Sequence, residues 1–528
     1  LANRLTEIEE YKVLVLEAGI DPPIESLYPG TISYLPNSQY DWNLSTILDG
    51  GYTAGAHRNH NLELTSGKIL GGDSSIGHLL YVRGAPHDYD QWTKNLEDSS
   101  WSYDNLLPYF KKSEMLDDEK VLHSHTGKFH GTDGNMGVTR QLQHITKKYL
   151  HAFKQAGHDI HLDGNGRRTL GYYEPMLMIK DGFRQSMAYA FLTGIKDRPN
   201  LHLLKETEAI EINFDGDTAV GVTAVKDNKI LTLKAKREVI IAAGTFKSPQ
   251  LLMLSGIGPE EHIKSFNITF RKDLPVGKNY QDHLGVIVVH KLNIKNPTSP
   301  PPNPHDYPMP IFIGNVALDK ELTYPEYQTL NYVIKSDSES LLSLCSVSYS
   351  YNDRVCQSLY NQTKGFETLV SKIVLLHPDS RGHVVLQSNN YKVPPMVLSG
   401  FFSHATDLER FKKYIDDFLL VQNTEIFQNY DAKLVYPKMH CDGYPESSYW
   451  ECYALNMAST TYHYTSSCSM GKVVDSQLKV KGMKGLRVID ASVIPTITSG
   501  NTQAAVMVIA EKGADMVLQD AKSCPSKC

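Results

Sequence analysis

The residues best suited to chemistry stand at the two ends of the chain. Gly67-Lys68-Ile69-Leu70-Gly71-Gly72-Asp73-Ser74-Ser75 is a run of small residues that lets the backbone approach a flat or anionic ligand. Upstream, Tyr11 to Leu16 (YKVLVL) ends in Glu17-Ala18-Gly19. An acid at the tip of such a strand hydrogen-bonds ribose hydroxyls in dinucleotide-binding folds. Near the C-terminus, Tyr462-His463-Tyr464, Cys468-Ser469-Met470-Gly471, Gly485-Leu486-Arg487-Val488-Ile489-Asp490-Ala491-Ser492 and Ser499-Gly500-Asn501-Thr502 follow in series. Standing alone, Glu17 also reads as a solvated strand end, and His463 as a core histidine.

These positions need elements to hold them. The pattern LANRLTEIEE predicts a helix leading into the YKVLVL strand. In a dinucleotide-binding fold a first strand and a glycine-rich turn precede such a helix; the sequence shows neither, and the glycine turn either lies before Leu1 or is lost. Further strands are predicted at Ala209 to Phe214, Thr218 to Val225 and Val239 to Ala243. Ala243 to Pro259 then reads as a strand end, a turn, a short helix and a glycine turn, and Asp273 to His283 (DLPVGKNYQDH) follows. Seven prolines between Asn296 and Pro310 exclude helix and central strand there, and predict a segment crossing the surface between subregions.

Composition excludes several function classes. The 528 residues are 41% hydrophobic, enough for a large globular core and two to four domains. With 53 Lys+Arg against 59 Asp+Glu the net charge is -6, without the basic excess that a nucleic-acid partner requires. Apolar stretches such as Ala504 to Ala510 run to about seven residues, short of the roughly 18 to 20 that span a bilayer.

Seven cysteines are too few for a disulfide scaffold, and none precedes Cys345. Cys441 and Cys452 bracket a turn-rich loop that a disulfide could close. Cys345 and Cys356 have the same separation, Cys524 and Cys528 form a tail pair, and Cys468 is left as the odd thiol. Sequons occur at Asn43, Asn267 and Asn361. Together these features predict a secreted glycoprotein whose signal peptide lies outside the sequence.

The ordered motifs, above all the segment ending SGIGP and the pair LRVIDAS and SGNT, resemble those of the glucose-methanol-choline (GMC) oxidoreductases from Leu1 to about Leu518. TYHYTSSCSMG and SYWECYA look most like the insect branch. The resemblance implies a mixed α/β chain, with a Rossmann-like FAD-binding domain and a second domain built on an antiparallel sheet covering the active site. It divides the chain into an FAD-binding region at 1–290, a connecting and substrate region at 291–375, a C-terminal region at 376–518 and a cysteine-containing tail at 519–528. Carried over by motif, Glu17 matches the ribose-binding acid, and Gly71, Gly72 and Ser74 the loop over flavin and pyrophosphate. Ala209 matches a backbone contact to adenine, Asp490 and Ala491 the pyrophosphate and ribityl segment, and Thr502 and Gln503 the turn beside the flavin pyrimidine. His463 matches the active-site histidine and Asn501 its companion.

The implied activity is FAD-dependent oxidation of a small primary alcohol, aromatic or terpenoid, with oxygen or a quinone as acceptor. An imidazole can take the hydroxyl proton as hydride leaves carbon, and the Asn501 amide can hold the developing alkoxide. Two positions depart from the pattern: Asp73 replaces a small residue and Gly77 an Asn, with His78 next to it. A carboxylate at 73 is expected close to flavin phosphates. A catalytically silent secreted relative and a hydroxynitrile-lyase-like enzyme remain open on the same fold.

Overall fold

The computed structural model describes residues 1–47, 53–296, 302–439, 441, 443 and 445–523. Two parallel strand pairs carry the motifs expected to bind the dinucleotide. Val13–Leu16 pairs with Leu201–Leu204, and Val239–Ile241 with Leu486–Val488. Val13–Leu16 runs into Glu17 and Leu486–Val488 into the turn holding Asp490. Both acids therefore stand at the carboxyl ends of parallel strands, where open α/β sheets bind ligands. Among the described residues the other edge of Val13–Leu16 is unpaired, and Leu14 is 44% exposed.

The helix expected over the first ten residues is a single turn, Ala2–Leu5. Tertiary contacts end it. The Thr6 hydroxyl bonds back to the Ala2 carbonyl at 2.8 Å, and the Asn200 amide reaches the carbonyls of Thr6, Ile8 and Tyr11 at 3.0 to 3.2 Å. The three predicted strands occur as Thr207–Asp215, Thr218–Lys226 and Val239–Ile241. A register shift between Ala209 and Glu211 leaves Ile210 unmatched in its ladder.

A seven-stranded antiparallel sheet forms the second unit. Its order is Lys433–Val435, Leu284–Leu292, Glu367–Leu375, Tyr327–Ile334, Ile311–Val316 and Gly171–Tyr173, with Ser459–Thr460 also paired to Leu284–Leu292. Every residue of Glu367–Leu375 and Tyr327–Ile334 is buried, and both strands are rich in apolar residues, as a sheet covered on both faces requires. The register sets Lys372 beside Leu330 and Ile287 on one face. Tyr327 lies on the other, stacked at 4.8 Å on Tyr414 of the helix Ala405–Leu419. The chain is thus a mixed α/β protein with a parallel-strand unit and an antiparallel-sheet unit, as the motifs imply.

Within the proline-rich stretch, residues 297–301 lie outside the described residues. The remainder is not purely superficial, because Tyr307 and Met309 are buried. It straps the two units together: Pro304 accepts from the Gly30 amide and His305 bonds to the Gly182 carbonyl before the chain enters the sheet at Ile311. The units interleave along the sequence, since Leu284–Leu292 crosses position 290 and strands of the same sheet lie on both sides of 375.

Disulfides join Cys345 to Cys356 and Cys441 to Cys452, while Cys468 is free and buried. Cys524 and Cys528 lie outside the described residues. Asn43, Asn267 and Asn361 are all exposed. Among the described residues no helix is long and apolar enough to cross a membrane.

Candidate active site

His463 sits where two chain segments run side by side. Ser459–Thr460 pairs with Leu284 and Gly285, Gln281 bridges to Thr465, and the residues between bulge, with Tyr462 at a φ of 63°. Asp282 fastens the bulge: Oδ1 accepts the His463 backbone N–H at 3.0 Å, and Oδ2 accepts the Thr460 hydroxyl. Burial pushes the Asp282 carboxyl up to about 7.

From the sheet, Lys372 reaches the same bulge and donates to the Thr460 carbonyl at 2.7 Å, its ammonium 4.3 Å from the centre of the Tyr349 ring. Gly285 makes room for its stem, since a Cβ there would lie 3.0 Å from Lys372 Cε. Burial lowers Lys372 to about 7. His463 is held down to about 3, first by burial, then by the charges of Lys372 and His78. Its ring is therefore neutral at physiological pH. His463 Nδ1 lies 2.9 Å from both His283 Nδ1 and Thr461 Oγ1, and among the described residues Nε2 has no hydrogen-bond partner.

Asn501 arrives on a separate turn. Gly500 has a φ of 118°, and a Cβ there would lie 2.9 Å from Val82 Cγ1, so only glycine fits. Among the described residues the Asn501 Oδ1 is buried without a partner, as is His78 Nδ1. The ring of His283 contacts His463 and also feels the Thr498 carbonyl, three residues before Asn501. His463, His283, Lys372 and Asp282 thus form one buried shell, which the half-buried His78 and the Asn501 turn adjoin.

Glu17 Oε1 accepts the Gly19 amide at 2.7 Å, and burial raises its carboxyl to about 7. Gly19 packs so tightly on Lys68 that a Cβ would meet its carbonyl oxygen at 2.1 Å, which joins the Glu17 turn to the glycine loop. Gly71 and Gly72 take φ of 93° and 55°, a left-handed pair. Ser74 is spent internally: its hydroxyl donates to Gly71 O at 2.6 Å and accepts the Met187 amide at 2.8 Å. Ala209 lies beside Glu208, which pairs with Lys247 at 3.0 Å.

Asp490 accepts the Gly244 amide at 2.9 Å, the Ser248 hydroxyl at 2.5 Å and the Ser492 amide at 2.8 Å, so its carboxylate shapes the turn while Ala491 follows it. Thr502 and Gln503 open the long helix Gln503–Ser523. Acids at two parallel strand ends, a left-handed glycine pair, a helix N-terminus and orphaned buried polar atoms at Asn501 and His78 fit a flavin dinucleotide.

The sequence matches the GMC oxidoreductase family, its N-terminal part over residues 44–285 and its C-terminal part over 378–510. The chain is a GMC oxidoreductase. It is 34% identical to an ecdysone oxidase of Spodoptera littoralis over 98% of this chain and 89% of that one, and 32% identical to an oxygen-dependent choline dehydrogenase of Chromohalobacter salexigens over 98% and 92%. Among solved structures it is similar to the formate oxidase of Aspergillus oryzae, at a TM-score of 0.82, 26% identity and coverage of 99% and 96%. A pyridoxine 4-oxidase from Mesorbium loti, at 24% identity, TM-score 0.81 and coverage of 98% and 96%, shares the fold. This GMC oxidoreductase uses FAD to oxidise CH-OH donors.

The two departures from the family pattern take definite places. Asp73 turns its carboxylate back on its own loop, where Oδ1 accepts the Gly67 amide at 2.6 Å. The surrounding protein, with Asp41 adding to it, raises the group to about 6, although its surface is open to solvent. Gly77 donates its amide to the Asp73 carbonyl and receives Arg184 on its own, and a Cβ would approach that Asp73 oxygen to 2.9 Å. An asparagine at 77 is therefore crowded in this backbone. The sequence motifs do not mark His283, Asp282 and Lys372 as site residues. The first two end the DLPVGKNYQDH segment, which is their only signal in the sequence; Lys372, in a buried strand, shows none beyond a charge inside an apolar run.

Proposed function

We propose that this GMC oxidoreductase oxidises a small alcohol, aromatic or terpenoid, to the carbonyl compound, with His463 as the proton acceptor. The observation that carries the reading is the His463 ring, neutral through burial, with Nδ1 engaged and Nε2 without a partner among the described residues. A neutral imidazole nitrogen facing a bound hydroxyl can take its proton as the C–H bond breaks. Bound FAD supplies the hydride acceptor. The Asn501 side chain offers an amide N–H to the alcohol oxygen as negative charge gathers there. Asp282 and Lys372 clamp the 460–463 bulge and so hold His463 in place.

Glu17, Gly71, Gly72, Ser74, Ala209, Asp490, Ala491, Thr502 and Gln503 form the FAD cradle in this reading, partly through backbone and turn geometry. Secretion is part of it, supported by two disulfides and three exposed sequons. The electron acceptor is oxygen or a quinone; relatives are described as an oxygen-dependent choline dehydrogenase and as a glucose dehydrogenase using FAD and quinone. Anaerobic mixing of the flavin-loaded protein with benzylic and terpenoid alcohols is the test. Bleaching of the flavin with one aldehyde formed per flavin supports the reading, and an unchanged spectrum with every alcohol defeats it.

A further inference from the structure

We propose that His283 is a positioning residue that fixes His463 in the tautomer carrying hydrogen on Nδ1, so that Nε2 presents its lone pair to the substrate hydroxyl. The inference rests on the reading of His463 as the base. Its logic starts at Leu376, whose carbonyl oxygen lies 3.0 Å from His283 Nε2. A carbonyl only accepts, so His283 Nε2 carries a hydrogen. Burial, reinforced by His463 and His377, holds His283 well below its ordinary value, so the ring is neutral and has just that one hydrogen.

His283 Nδ1 is then bare and can only accept. It faces His463 Nδ1 at 2.9 Å, with the two rings perpendicular at an interplanar angle of 90°. His463 Nδ1 must therefore donate, and because His463 is also neutral its Nε2 is the bare nitrogen. Thr461 agrees with this assignment. Its hydroxyl is 3.0 Å from the His283 carbonyl and 2.9 Å from His463 Nδ1, so it donates to the first and accepts a second branch from the other.

The neighbour decides the tautomer, and the tautomer decides whether a base exists. Without a side-chain acceptor at 283, nothing holds the hydrogen on His463 Nδ1, and the Thr461 hydroxyl can turn from the 283 carbonyl to donate there. The ring hydrogen then moves to Nε2, where no lone pair is left for the alcohol. With His283 in place, the alcohol O–H bond would break as a bond to Nε2 forms, bound FAD would supply the acceptor for the hydride leaving carbon, and the new imidazolium would keep its Nδ1 hydrogen, donated to His283.

The test compares His283→Leu and His283→Asn with wild type and His463→Ala in the full-length, flavin-loaded protein. Leucine offers no acceptor, whereas the asparagine Oδ1 stands close to the position of the lost Nδ1. Anaerobic flavin reduction is expected to slow about 100-fold or more in His283→Leu, with KM little changed, and to stay within about tenfold of wild type in His283→Asn. Independently of activity, 15N NMR of histidine-labelled protein reports the tautomer, the His463 resonances being those lost in His463→Ala. Wild type is expected to show a protonated Nδ1 and a bare Nε2, and His283→Leu the reverse.

A wild-type spectrum with Nε2 protonated, or a wild-type reduction rate in His283→Leu, overturns the proposal. So do equally slow Leu and Asn variants with an unchanged His463 tautomer. A wild-type rate in His463→Ala instead removes the base reading, while the spectrum still judges the tautomer. If His283→Leu does not fold, the wild-type spectrum and the Asn variant decide.

Discussion

The Asp88 carboxylate holds Ser499 at two points, accepting its backbone N–H at 2.7 Å and its hydroxyl at 2.8 Å. The same group accepts the Ala85 amide at 2.8 Å, so the start of the helix Pro86–Leu96 is tied to the turn that presents Asn501. An asparagine at 88 replaces one acceptor oxygen with a donor facing N–H groups, breaking at least one charge-assisted bond. Asp88→Asn is expected to cost about 1 to 3 kcal/mol of stability. It is also expected to slow alcohol-dependent flavin reduction while leaving flavin content unchanged, as calorimetry, stopped-flow absorbance and the flavin-to-protein ratio will show.

Removing the proposed base has a larger effect on rate. His463→Ala is expected to lower the anaerobic reduction rate by about 100-fold or more with flavin content unchanged. Asn501→Ala removes one donor and is expected to be milder. The double variant is expected to be less impaired than the product of the single effects, because both groups act on one oxygen. A strictly multiplicative loss would place them on different steps.

Acid stability follows from the buried histidines. The buried His57, His290 and His463 are held at about 3, and the half-buried His78 and His377 at about 4, in each case chiefly by desolvation. Between these values and the ordinary histidine value of about 6.5, the unfolded chain binds protons that the fold does not. The stability they confer is complete above pH 6.5 and is lost as pH falls through that window, by about 1.4 kcal/mol per pH unit for each ring. Glu17 and Asp282, raised to about 7, act in the opposite sense between 7 and the usual carboxylate range, so a single substitution is the clean comparison. His290 has both ring nitrogens buried without partners. His290→Met is expected to flatten the slope of unfolding free energy against pH between 6.5 and 4 by one proton's worth, as measured in urea titrations.

The thiol chemistry is expected to divide cleanly. Peptide mapping without reduction should find Cys345 joined to Cys356 and Cys441 to Cys452, with Cys468 unmodified until the protein is unfolded. Each bridge closes a loop of sequence separation 11, for which chain entropy gives about 3 kcal/mol. Losing either by paired Cys→Ser replacement should lower the melting temperature by several degrees, and Cys468 recovered in any bridge would contradict the fold described.

Local pattern was enough for some features. The YKVLVL strand, the hairpin strands near 209 and 218, and both loop-closing cysteine pairs are carried by neighbours in sequence, and each is present. The LANRLTEIEE helix stops early because Asn200 captures two of its carbonyls and that of Tyr11 just after it, a contact across about 190 residues that no helical periodicity encodes. The same limit hid His283, whose importance lies in one nitrogen facing His463 across 180 positions. Asp73 could be noticed as out of pattern, but where its carboxylate points depends on the Gly67 amide and is visible only in three dimensions.

The pairing of Val239–Ile241 with Leu486–Val488 also bears on how the molecule is made. The strand Val239–Ile241 waits for a partner about 250 residues later, and Leu284–Leu292 waits likewise for Ser459–Thr460. Neither pairing can form until those later segments have left the ribosome, so sheets with open edges persist until then. Such long-range topologies fold slowly and expose sticky edges on the way. Production in a compartment well supplied with chaperones, and at lowered temperature, is therefore the condition under which this chain should be recovered in soluble form.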